Sequence, residues 1–358
     1  MTPITHRNPI NLLRATAVLL VFCHHYMHYA QTDLGLIGTY GGLLGVQLFF
    51  LISGYLIVKT ASQHSWPSFL RGRVLRIYPT YWVVVLLASW FYQPVLPYTA
   101  ADAPYFWANF FALSHFVPYA LVKFDVLTVS WTLTIEWTWY LVAPALLALA
   151  AHPRVIARTG RHFWAWTLLL FVLLQLGWFA AVRAGWLDPL FAGPIAKVGI
   201  SPINDHMRIA FMHAAAPAQL VFFVIGACIW AYENTLTQTQ LIYWLALGTG
   251  LLAWPPLWPL GLGLSPSFIT GLGLAALFVF ALQNARALSH PVLRPLHWVG
   301  DWSFGLYLLH VPVLLTFIRL YQVSGANGFA ASLLVALTLS CAVHWLVERP
   351  SRRLHHML

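Results

Sequence analysis

Long apolar stretches, each broken by a short group of charges, prolines or glycines, recur from one end of this chain to the other. At about 20 apolar residues per helical crossing of a bilayer, the pattern predicts spans near 10–30, 42–58, 77–96, 129–150, 164–184, 214–232, 241–259, 264–284, 301–320 and 330–348. The expected fold is all-α, a polytopic transmembrane helical bundle of about ten spans. Pro255, Pro256, Pro259 and a Gly-rich run at 261–266 separate the seventh span from the eighth, so these two also fit one hairpin of short helices. The segments 97–128 and 185–213 are too long for simple turns and mix Pro, Asp and Asn with aromatics. They are expected to cap an outward-facing opening at the membrane surface. No inverted repeat of the transporter kind and no low-complexity tract is visible.

Composition sharpens this. The 358 residues are 60% hydrophobic and 8% charged, with mean hydropathy +0.73, where a soluble domain carries roughly a quarter charged residues. A water-soluble fold is excluded, and one membrane domain over 1–358 is expected, with no appended soluble domain. Eighteen Trp, 15 Tyr and 23 Phe suit the headgroup belts of many crossings. Cys23, Cys228 and Cys341 lie in apolar runs without C-x-x-C spacing, which indicates neither a disulfide framework nor a zinc site. The first apolar run lacks a small-residue cleavage site and reads as a retained helix.

The net charge of +10 comes from Lys and Arg scattered between apolar runs, not gathered on one soluble face, so no nucleic-acid partner is expected. With the N-terminus in the cytoplasm, fourteen of the 19 basic residues lie inside and five lie outside, namely Lys123, Arg183, Lys197, Arg208 and Arg319. That asymmetry predicts both termini on the cytoplasmic side.

Ionisable groups within the spans carry the functional signal, since an acid or Arg at mid-helix costs about 2.5–3.5 kcal/mol on insertion scales. The first span holds Arg14, His24, His25 and His28, the fourth Glu136, and the ninth His310. Eleven residues of helix end roughly 20° beyond three full turns, which puts Arg14 and His25 on one face about 16 Å apart. Glu136 lies a few residues into a span that enters from outside, at a depth expected to match His25. This predicts an imidazole base with a carboxylate partner. Other readings fit some of these residues. His24, His28 and His310 also suit helix-packing hydrogen bonds, and the i, i+4 spacing of His24 and His28 has no second ligand set to make a metal or haem site. Glu136 also suits simple neutralisation of a cation, and Arg71, Arg73 and Arg76 also fit simple topology markers.

Several blocks together resemble the acyltransferase 3 family of integral-membrane acyltransferases. LLRATAVLLVFCHHY is similar to the family's Arg, ten residues, His signature and lands on Arg14 and His25. FFLISGYLI resembles its Phe-Phe-x-x-Ser-Gly-Phe/Tyr segment at Ser53, Gly54 and Tyr55, and FLRGRVLRIYPTYW its basic loop, with Arg73, Arg76 and Pro79. SWTLTIEWTWYL matches the block whose first Glu is Glu136, WSFGLYLLHVPV the block with Ser303, Tyr307, His310 and Pro312, and a Glu-Arg-Pro stands at 348–350. The chain departs from the pattern at Asn11 and Leu12, where Asp-Gly is common, and at Trp137, where a second acid is common.

The resemblance implies a membrane O-acyltransferase, in a bacterial inner membrane, that moves an acyl group, acetyl above all, from cytoplasmic acyl-CoA to a hydroxyl of a cell-surface polysaccharide or related acceptor. Acyl-CoA is expected as co-substrate, with no metal or prosthetic group. His25 is expected as base or as acyl-accepting nucleophile, Glu136 as its partner, and Arg14 as a hold on the thioester carbonyl or the pantetheine end. Arg71, Arg73 and Arg76 suit the CoA phosphates, while Tyr307 and His310 are candidates for holding the acceptor. Ser53 and Gly54 suit close helix packing. Acylation of a lipid or secondary metabolite is the nearest alternative. A proton-coupled transporter or flippase, with Arg14, His25 and Glu136 as a relay, and a haem-binding membrane protein are the alternatives of other classes.

Overall fold

A computed structural model describes residues 9–92, 100–117, 127–196, 214–235, 237–254 and 267–357. Among them there is no strand. The α-helices of eight or more residues are α1 (Ile10–Ala30), α2 (Gly35–Ala61), α3 (Trp66–Tyr92), α4 (Ala103–Phe110), α5 (Trp131–Ala150), α6 (Phe163–Arg183), α7 (Asp188–Ala196), α8 (Ala216–Tyr232), α9 (Gln238–Ala253), α10 (Phe268–Gln283), α11 (Arg294–Asp301), α12 (Ser303–Leu315), α13 (Gly325–Val343) and α14 (Arg349–Met357). Two π-helical turns, Thr316–Leu320 and His344–Glu348, continue α12 and α13.

Each predicted span has its helix, and seven helical segments are long and apolar enough to cross a bilayer. The other three are α3, which carries Arg71, Arg73 and Arg76 within its first turns, and α9 and α10, of 16 residues each. The basic stretch after α2 is therefore not a loop. Helix α3 begins at Trp66, eleven residues before its apolar run, because Pro67 falls in the first turn, where proline is tolerated, and Gly72 alone does not stop a helix, while the polarity of the stretch ends the hydropathy signal. The Pro- and Gly-rich connection between α9 and α10 lies outside the described residues.

Helices α1, α2, α8, α10 and α12 supply the centre of the core, with Val18, Phe22, Leu51, Phe223, Phe278 and Leu308 fully buried. Close contact comes from glycine. A Cβ on Gly54 would stand 2.1 Å from the Phe223 carbonyl oxygen, and one on Gly226 would stand 2.1 Å from that of Leu51, so α2 and α8 touch backbone to backbone. Gln175 ties α6 to two neighbours by donating to the Ala218 carbonyl at 2.6 Å and accepting from the Phe268 amide at 2.8 Å. Outward, α6 exposes Leu169, Leu170, Leu173 and Leu174, as a lipid-facing helix does.

The segment expected to cap the surface near 97–128 does so only in part. Helix α4 turns Trp107 outward, but Asn109, Ala112 and Ser114 are buried, as are Leu127, Val129 and Ser130 just before α5. Tyr81 donates to the Asn109 carbonyl at 2.6 Å, Trp82 to that of Phe110 at 3.0 Å, Tyr78 to that of Phe111 at 2.9 Å and Thr134 to that of Ala112 at 2.6 Å. Irregular backbone inside a membrane protein needs such partners. The piece thus dips into the bundle beside α3, and α5 starts within the protein. The rest of this segment and most of 185–213 lie outside the described residues.

Candidate active site

Arg14 stands in the wall of a cavity of about 80 Å³ completed by Phe49, Phe50 and Ser53 of α2, Arg76 of α3, Thr132 and Glu136 of α5 and Ser303 and Tyr307 of α12. One water needs about 10–15 Å³, so there is room for a small acyl group and no room for a nucleotide. Ser53 donates to Glu136 at 3.0 Å. The charges acting on Arg14 are those of Arg76, Arg352, Glu136 and Asp301, and those acting on Arg73 include Arg76 and Glu136. The Arg73 guanidinium packs 5.5 Å from the Phe69 ring and 6.0 Å from Tyr140, with its Nε buried and unpaired. Positions 73 and 76 are three apart and share a helix face, whereas position 71 points elsewhere. Accordingly Arg71 is exposed, and two of the three expected arginines reach the site.

The C-terminal end brings in residues that the sequence reading had given no role. Arg352, on α14, donates to Glu348 at 3.2 Å, and Glu348 also bonds His344 Nδ1 at 3.0 Å. Glu348 is 2% exposed, and its other oxygen is buried without a partner. Asn11 donates to Asp301 at 2.6 Å. Arg352 feels Arg73, Arg76 and Asp301, so Arg14, Arg73, Arg76 and Arg352 gather from α1, α3 and α14. The Glu-Arg-Pro block and the basic run after it were the available signal. Packing of α14 on α3 turns that signal into a site.

One turn beyond Tyr307, which lines the cavity, is a histidine pair. The His25 and His310 rings lie 4.9 Å apart, with His310 Nε2 3.0 Å from His25 Nδ1. His310 Nδ1 is 2.7 Å from the Tyr307 carbonyl and His25 Nδ1 is 3.1 Å from the Val21 carbonyl. A carbonyl only accepts, so both Nδ1 atoms carry hydrogen. In neutral rings His310 Nε2 is then the acceptor of the His25 Nδ1–H, and His25 Nε2 holds a lone pair with no protein partner among the described residues. His24 is turned to the Gly38 carbonyl at 2.6 Å, and His28 is exposed.

The expected contact between His25 and Glu136 is not made. Tyr307, one turn inward of His310, donates to Thr132 at 3.2 Å. Glu136 follows Thr132 by a further turn, so it lies two turns, about 11 Å, inward of the histidines. The depth was misjudged because α5 begins inside the bundle and not at the outer surface. Glu136 instead belongs with Arg14 and Ser53. Ser53 is a hydrogen-bond donor to that carboxylate as well as a neighbour of the close-packed Gly54. At the departure from the family pattern, Trp137 stacks on Tyr78 at 5.4 Å.

A lipid-embedded helical bundle with converging arginines beside a small cavity, and an imidazole lone pair further along the same helices, is built as an integral-membrane group-transfer enzyme. The chain belongs to the acyltransferase 3 family, whose model, described as an acyltransferase domain, matches residues 8–349. It is therefore an acyltransferase. It is 26% identical to Nodulation protein 10 of Rhizobium leguminosarum bv. viciae over 99% of this chain and 95% of that protein. It is 25% identical to Peptidoglycan O-acetyltransferase OatA of Listeria monocytogenes over 93% of this chain and 53% of that protein, so it spans about half of OatA's length. It is also 25% identical to Acyltransferase MdmB of Streptomyces mycarofaciens over 96% of this chain and 90% of that protein. No solved structure is significantly similar.

Proposed function

We propose that this enzyme transfers an acetyl group from cytoplasmic acetyl-CoA to a hydroxyl of a cell-surface glycan in a bacterial inner membrane, with both termini in the cytoplasm. The observation that carries the reading is the unshared Nε2 lone pair of His25, whose partner His310 stands one turn beyond Tyr307 in the wall of the cavity that Arg14 also lines. The O-acetyltransferase relative supports the acetyl group and a glycan acceptor for this chain.

In this reading Arg73, Arg76 and Arg352 take the CoA phosphates, for which guanidinium forks are suited. Their mutual repulsion is relieved when an anion arrives. The pantetheine arm enters the cavity, where Arg14 holds it, and carries the acyl group toward His25. His25 Nε2 removes the acceptor's hydroxyl proton, the oxygen bonds the acyl carbon, and the C–S bond breaks. The departing thiolate then takes that proton back from Nε2 and leaves as CoA. Glu136 holds Arg14 and Ser53 in the wall of the cavity, and Tyr307 orders its outer end for the acceptor.

The test is transfer from radiolabelled acetyl-CoA to surface glycan in membranes containing the wild type or His25→Ala. Loss of a general base costs about 10²–10⁴ in rate, whereas His24→Ala is expected to be mild. Near-normal transfer by a well-folded His25→Ala protein, or no label moving from acetyl-CoA in the wild type, overturns the reading.

A further inference from the structure

His25 has an unusual neighbour for a base. Buried catalytic imidazoles are commonly steadied by a carboxylate, but Glu136, the acid expected in that role, lies two turns away, and the ring facing His25 Nδ1 is another imidazole. Among the described residues, those around the pair are Val21, Phe22, His24 and Tyr29 on α1 and Tyr307 on α12, none of which is an acid. His310 is 0% exposed and held through its own Nδ1–H by the Tyr307 carbonyl. It has no other hydrogen to offer, so its Nε2 can only accept.

We propose that His310 is the positioning and proton-sharing partner of His25, so that this enzyme runs on a histidine pair and not on a histidine–carboxylate pair. The inference rests on the reading of His25 as the base. When Nε2 of His25 takes the acceptor's proton, the ring becomes a cation in a low-dielectric setting, with no carboxylate beside it among the described residues. The Nδ1 proton then moves toward His310 Nε2, and the charge is spread over two rings, one of them anchored to a backbone carbonyl. When the thiolate leaves, it takes the Nε2 proton. The shared proton returns to His25 Nδ1, and both rings regain their starting tautomers. No proton or electron is gained or lost over the cycle. The Val21 carbonyl, 3.1 Å from the same Nδ1, fixes the tautomer but cannot take up a proton. His310 alone can do both, which gives it a role in the chemical step that backbone orientation does not replace.

The experiment compares His310→Ala and His310→Gln with His25→Ala in the full-length protein, with thermal stability measured on the same preparations. Gln offers a carbonyl oxygen in place of Nε2 and keeps much of the volume, but it cannot accept a proton. His310→Ala should lower kcat about 10- to 100-fold, the worth of one hydrogen bond to a charged group, with KM for acetyl-CoA unchanged. His310→Gln should recover part of that loss. Single-turnover rates in mixtures of H2O and D2O should curve for the wild type, where two protons move, and become linear for His310→Gln. A stable His310→Ala protein with normal kcat, a change confined to KM, or a linear wild-type plot overturns the proposal. If His25→Ala is inactive in the same assay, the reading of His25 survives that result. An active His25→Ala overturns both.

Discussion

Gly54→Ala tests the packing that places the inner half of the site. The added Cβ would sit 2.1 Å from the Phe223 carbonyl oxygen and 2.7 Å from its carbon, where carbon–oxygen contacts settle near about 3.3 Å. The shortfall is about 1.2 Å, and the obstacle is helix backbone, which has no rotamer to move into. Helices α2 and α8 must part, which also loosens the Phe50–Phe223 stack, now 4.6 Å between centroids. A gap of 0.5–1 Å forfeits a quarter to a half of each contact's attraction, and overpacking of this kind costs about 1–3 kcal/mol. At about 2–4 °C per kcal/mol, the apparent Tm of the purified protein should fall by about 2–12 °C. Transfer should fall as well, because Ser53, bonded to Glu136, is the adjacent residue. Gly177→Ala is the control. It has open space around its Cβ on the exposed side of α6 and should gain up to about 1 kcal/mol from helix propensity. A Gly54→Ala protein that melts at or above the wild type, beside a normal control, refutes the reasoning.

Among the arginines, Arg73→Ala and Arg76→Ala should each raise KM for acetyl-CoA about tenfold or more, and exposed Arg71→Ala should change it little. Initial-rate titrations decide this, and equal effects at all three positions would remove the facial argument. Arg352→Ala should raise the same KM, while unchanged donor dependence would restrict Arg352 to pairing with Glu348. Glu136→Gln and His310→Gln should combine additively in log rate, within about 0.5 kcal/mol, because groups some 10 Å apart without a shared partner act independently. Strong non-additivity would restore a direct link between Glu136 and the histidines. Reporters fused after Lys59, Arg158 and Arg294 should read as cytoplasmic, and one near Asp102 as external. An external signal from the 59–66 connection would invert the donor side.

What could be read from the sequence was local. Arg14 and His25 share a helix face by simple periodicity, and hydropathy found a helix for every predicted span. Three things escaped it, each for a physical reason. Residues 66–76 are helical but not apolar, and hydropathy registers only the second property. The depth of Glu136 depends on where α5 begins in space, which is set by Tyr78, Tyr81 and Trp82 on another helix. The His25–His310 bond joins positions 285 residues apart, and no spacing rule reaches that far. The π turn at His344–Glu348 added a fourth difficulty, since it shifts the facing of Glu348 and Arg352 relative to a regular helical wheel.

The partly buried stretch from Asn109 to Ser114, where α4 ends, also constrains how the protein is made. Its carbonyls at Asn109, Phe110 and Phe111 take their donors from α3, already synthesised when the segment emerges, but that of Ala112 takes its donor from Thr134 on α5, which follows. A stretch containing Asn109 and Ser114 cannot enter lipid alone with its backbone unpaired. Its pairing is completed only when α5 supplies the Thr134 hydroxyl, which makes the finished inward fold a late step of assembly. A chain halted between residues 112 and 131 would have its first three spans in the membrane and still lack the floor on which Glu136 is set.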